Sequence, residues 1–166
     1  MASHPDMRLS YSLAAISVLT AVGAFVLLSC GSSARIEIEA ENFSRGDAVA
    51  DCGEFGYGKG IGVVITLKPG AHVEYDFEVF SSGNYRIELR YASVGPRPLR
   101  LLIDGKMVNP QAADQDTGGF LPANQKWLPA GETRLESGRH TLRLECDGVF
   151  PAIDKIRLKK LVKIGG

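Results

Sequence analysis

The chain has 166 residues, with 19 basic and 19 acidic side chains, three histidines and three cysteines. Its 45% hydrophobic and 23% charged residues match ordinary globular usage and argue against wholesale disorder. A formal net charge of zero argues against a general nucleic-acid binder, which carries a basic excess, and 19 glycines without a triplet period argue against collagen.

In chain order, a targeting segment comes first. Residues 1–10 are polar and hold Arg8 and Asp6, Leu13 to Leu28 carry no charge, and Ser29-Cys30-Gly31 follow. A charged start, an apolar middle and a small residue before the cut predict a signal peptide or membrane anchor over residues 1–29. The run Leu27-Leu28-Ser29-Cys30 resembles a bacterial lipobox, which implies a lipid on Cys30. Lipoprotein, ordinary secretion and an uncleaved anchor stay open, the apolar run being at the short edge for a spanning helix. All three place the folded part outside the cytoplasm. The lipoprotein reading places it in the bacterial cell envelope, tethered to a membrane at the periplasmic or cell surface.

After a short linker over residues 30–35, the dominant period is two. Ile36, Ile38 and Ala40 alternate with Glu37, Glu39 and Glu41. Val73, Tyr75, Phe77 and Val79 alternate with acids; Tyr85, Ile87, Leu89 and Tyr91 alternate with Arg86, Glu88 and Arg90. His140, Leu142, Leu144 and Cys146 repeat the pattern, and Ile61–Leu67, Leu99–Ile103 and Ile153–Leu158 complete the set. Such alternation predicts half-buried strands with one face on a core. Lys68-Pro69-Gly70, Ser82-Gly83-Asn84, Ala130-Gly131 and Ser137-Gly138 mark turns, and Asp104-Gly105 marks a tight hairpin. Many short strands with regular turns and no helical period predict an all-β sandwich or jelly roll over residues 36–160, with a tail over 161–166. The tail's approach, IRLKKLVK from Ile156, reads as a solvated edge strand, with a membrane-surface or anionic-glycan contact as the alternative.

Two segments interrupt the alternation: the glycine-rich stretch Asp51–Gly60 and the long stretch Asn109–Pro129, and long loops in small domains often carry function. If Cys30 takes lipid, Cys52 and Cys146 remain. An oxidising compartment would allow them to pair, closing a loop of about 94 residues and contributing up to roughly 4–5 kcal/mol. Two separate buried thiols are the other reading. Nothing singles out a catalytic apparatus. No GxSxG occurs, no two carboxylates stand out as acid and nucleophile, and the glycines at 56–60 are not followed by a helix.

Five segments in order carry a resemblance: Glu39–Phe43, Gly83–Ser93, Leu101–Lys106, Leu135–Leu144 and Ala152–Leu158. Together they resemble carbohydrate-binding module families six and thirty-five, across nearly all of the chain after the targeting segment. The resemblance implies a galactose-binding-like jelly roll that binds a polysaccharide or other glycan without cutting it. It also implies a structural Ca2+ on Glu39, Glu41 and Asp154, hard carboxylate ligands of the kind calcium takes. Sugar contacts would come from Tyr57, Phe120, Asn124 and Trp127, rings to stack on a pyranose and an amide to hold hydroxyls. The competing reading is a structural or protein-interaction sandwich of the cell surface that has lost the sugar site.

Overall fold

The alternating segments fold into two antiparallel sheets whose apolar faces meet. The computed structural model describes residues 34–51, 62–66 and 68–162. Cys30, Cys52 and Tyr57 therefore lie outside the described residues. The strands are β1 (Arg35–Glu39), β2 (Arg45–Gly46), β3 (Val49–Asp51), β4 (Val63–Ile65), β5 (His72–Val79), β6 (Gly83–Ala92), β7 (Leu99–Ile103), β8 (Lys106–Ala112), β9 (Lys126–Leu135), β10 (Gly138–Glu145) and β11 (Ala152–Lys160). One sheet runs β3-β4-β11-β6-β9, with β1 also on β11; the other runs β2-β5-β10-β7-β8.

The core is the set that the period of two selects. Val73, Tyr75, Phe77 and Val79 of β5 face Tyr85, Ile87, Leu89 and Tyr91 of β6, with Leu99, Leu101, Leu142, Leu144, Ile156 and Leu158 between them. Tyr75 resolves its buried hydroxyl by donating to the Ala40 carbonyl at 2.9 Å, and burial pushes its pKa far up.

Two sequence expectations are corrected. The stretch Asn109–Pro129 is not one loop: β8 takes its start and β9 its end, leaving residues 113–125 as the connection. A bulge between Ile87 and Glu88, opposite Gly131 and Pro129, shifts the phase of β9 and hides its alternation. The strand leading to the tail is no edge. β11 is central, with β6 along one side and β1 and β4 along the other. Ile156 and Leu158 are wholly buried, and Arg157 and Lys159 both reach Glu88.

At one pole of the sandwich lie the β5–β6, β7–β8 and β9–β10 turns. His140 links two of them. Its Nδ1 lies 2.7 Å from Asp104 Oδ2 and its Nε2 lies 2.9 Å from the Glu136 carbonyl. Both partners are acceptors, so the doubly protonated ring satisfies both. Burial works against that charge, but the Asp104 carboxylate and the Glu136 carbonyl outweigh it and raise the His140 pKa. A raised folded-state pKa contributes stability that is full below the unfolded value of about 6.5 and is lost as pH rises through the folded value. Melting temperature is therefore expected to fall as pH rises above about 6.5, by a margin that Asp104→Asn removes. Equal slopes in the two proteins would reject the linkage.

Candidate ligand face

The second pole carries the connections 93–98, 113–125 and 146–151. A buried polar knot fixes the first two to each other. The Ser93 amide donates to Thr117 Oγ1 at 2.7 Å, the Thr117 and Gly119 amides donate to the Ser93 carbonyl, and Ser93 Oγ donates to the Gly95 carbonyl. Ser93 and Thr117 are 0% and 3% exposed, so the knot is structural rather than a ligand contact. Nothing in the sequence marked this pair.

The knot delivers Phe120 onto the outer face of the six-stranded sheet. There the ring packs on a second, smaller apolar cluster of Val63, Ala92 and Ala152, flanked by Ile65. These residues alternate with Val64, Tyr91 and Ile153, which face the main core, so period two puts them on the opposite side. Arg97 lies over the Phe120 ring, 4.6 Å from its centroid. Asn124, in the 3-10 turn Pro122–Asn124, folds back on the glycine pair; its amide fills the space where a Gly119 side chain would stand. Gly119 is required for that contact, and Asn124 shapes the loop.

Trp127 reaches the same face by another route. It is paired directly with Arg90 in the β6–β9 register, so both point outward from the six-stranded sheet. Ala92 lies two residues further along β6, which places Trp127 one row from the patch under Phe120. Arg157 covers one side of the indole at 3.7 Å from the ring centroid, while its guanidinium holds Glu88. The structure thus brings Phe120, Asn124 and Trp127 to one end of one face, each half-buried. Arg97 and Arg157 were missed from sequence, because 23 and 30 residues separate them from the rings they cover.

The outer face of the five-stranded sheet is closed by its own charges. Arg45 bridges Glu74 and Asp76; Arg143 bridges Glu74 and Glu145; Arg100 bridges Glu145 and Asp147. Arg45 and Thr141 hold the Asp76 carboxyl down at about 2. The six-stranded sheet carries ion pairs of its own, and what sets its outer face apart is the pair of rings, Phe120 and Trp127, at its loop end.

The carboxylates expected to hold calcium have unequal surroundings. Glu39 takes Lys155 Nζ at 2.5 Å, and Asp154 takes Arg90 at 2.7 Å. Asp154 sits at the β11 bulge between Ile153 and Lys155 and is 3% exposed. Burial raises its pKa, and Arg90 opposes that rise. Glu41 differs: its Oε2 is buried without a hydrogen-bond partner, and its side chain occupies the space against Gly62, 2.6 Å from where a Cβ would be. Among the described residues, Glu39 and Asp154 each have a cationic partner and Glu41 has none. No group of three His, Cys, Asp or Glu side chains is assembled as a metal site among the described residues. Cys146 is a buried free thiol that donates to the Gly148 carbonyl at 3.1 Å.

The backbone matches solved sugar-binding modules. The native family 35 carbohydrate-binding module from Clostridium thermocellum superposes with a TM-score of 0.66 at 22% identity, over 76% of this chain and 98% of that one. The family 35 module from Paenibacillus barcinonensis gives 0.64 at 25% identity, over 74% and 97%. The C-terminal family 6 module of the laminarinase LamC from Zobellia galactanivorans gives 0.60 at 25%, over 76% and 100%. No family model and no curated protein matches the sequence. The domain is a galactose-binding-like β-sandwich. Its fold is that of carbohydrate-binding modules of families 6 and 35.

Proposed function

We propose that this protein binds a polysaccharide without cutting it, and that its N-terminal segment exports it and tethers it to a membrane in the bacterial cell envelope. The observation that carries the reading is the match, over nearly the full length of each module, to carbohydrate-binding domains. The loop-end patch of the six-stranded face supports it, since Phe120, Trp127 and Asn124 there combine rings with polar groups. Tyr57 belongs to the proposed set from the sequence alone. Calcium is part of the proposal, held by Glu41 with Glu39 and Asp154. When bound it would supply the positive charge that Glu41 lacks and fix β1 to β11.

A specific observation favours the competing structural sandwich: each ring already has an arginine across it. Polysaccharide-array binding by the purified protein separates the two. Phe120→Ala and Trp127→Ala are each expected to weaken binding about tenfold or more, with the circular dichroism spectrum unchanged. A folded protein that binds no polysaccharide would establish the structural reading instead.

A further inference from the structure

The corner of the sandwich where the N-terminal segment enters has no role in the sugar reading. Leu28 ends the apolar run and Ala34 begins the described fold, so five residues separate them. Even fully extended, that link spans only about 20 Å. The Ala34 carbonyl accepts the Lys160 amide at 2.9 Å, which seats the entry point at the end of β11. The β5–β6 turn shares this corner. Lys160 Nζ reaches Ser81 Oγ at 2.5 Å, the Leu161 amide donates to the Asn84 carbonyl at 2.7 Å, and the Lys160 stem lies across Gly83.

Two apolar side chains stand out from this corner: Phe80 at 84% exposure and Val162 at 69%. They are the two most exposed large hydrophobics among the described residues. Phe80 follows Val79, the last inward residue of β5, and so falls on the side away from the core. The fold gains nothing from either side chain in water. Arg35, Lys159 and Lys160 add cationic groups nearby, Arg35 shared with Glu37, Lys159 with Glu88 and Lys160 with Ser81.

We propose that this corner docks on the bilayer that holds the N-terminal segment. Phe80 and Val162 enter the boundary between headgroups and acyl chains, and Lys160 lies at the level of the lipid phosphates. One exposed phenylalanine binds a membrane weakly by itself. Next to a membrane-held link this short, it meets the surface at high effective concentration. The proposal rests on the tether reading.

The test uses the full chain carrying Phe80→Trp, mixed with vesicles of phosphatidylcholine and phosphatidylglycerol whose acyl chains are brominated. The unsubstituted chain, with Trp127 alone, is the control. The expected result is co-sedimentation of both proteins and an added tryptophan emission that is blue-shifted and quenched about twofold or more by the brominated lipid. Co-sedimentation with an unquenched, red-shifted emission would overturn the docking corner and leave the tether standing. Protein left in the supernatant would overturn both. A blue shift that needs no lipid and grows with protein concentration would assign the corner to a second copy of the chain, against the proposal.

Discussion

Arg90→Met is expected to destabilise the domain by about 3 kcal/mol, lowering its melting temperature by on the order of 10 °C. Asp154 carries the argument. Its side chain is 4% exposed, and its ionised form is balanced by a guanidinium 2.7 Å away. Methionine keeps much of the arginine's stem but leaves a buried carboxylate unpaired, which costs about 3–5 kcal/mol in fully buried settings. The low end applies because Arg90 is itself 36% exposed. Burial already raises the Asp154 pKa against the pull of Arg90, and losing Arg90 raises it further. A carboxyl with a raised folded-state pKa is less unfavourable when protonated, so the deficit is greatest near neutrality and shrinks as pH falls through the raised value. Adding Asp154→Asn removes the orphaned charge and restores most of the loss. Urea denaturation of the wild type and both variants measures this. An Arg90→Met protein as stable as the wild type at neutral pH would show that Asp154 is supported some other way.

Calcium at about 100 times its dissociation constant is expected to add about 2.7 kcal/mol to the same domain. Glu41 is the reason, as the one member of the three carboxylates without a cationic partner among the described residues. Glu41→Gln should abolish the gain. Arg90→Met should tighten calcium binding about tenfold or more, because it leaves two carboxylates in need of charge instead of one. Thermal melts with EDTA and with millimolar calcium separate the outcomes. No difference between the two solutions, in the wild type and in Arg90→Met alike, would mean that Arg90 and Lys155 have taken over the role of the metal.

The strands were legible where alternation ran unbroken. β5, β6, β7, β10 and the core positions of β11 follow from Val73 to Val79, Tyr85 to Tyr91, Leu99 to Ile103, Leu142 to Leu144 and Ile156 to Leu158. Pro129 and Gly131 interrupt β9, and the bulge opposite them moves its phase, so local pattern failed there. The central place of β11 depends on pairing with β1 and β6, more than 60 residues away, which no local signal carries. The site divides in the same way. Phe120, Asn124 and Trp127 were reachable because the family resemblance implies rings and an amide in that long segment. The arginines over the rings, the Ser93–Thr117 knot and the Lys155 and Arg90 partners exist only once the topology sets distant strands side by side.

The antiparallel course of β6 has a further consequence. The strand runs ten residues, about 30 Å, from the corner beside Ala34 to the patch under Phe120. Under the proposed tether, the domain would act as a spacer of that height and would present its patch at the end remote from the bilayer. A polysaccharide would be gripped beyond the crowded headgroup layer, and the rigidity of the sheet, rather than a long flexible linker, would set the distance.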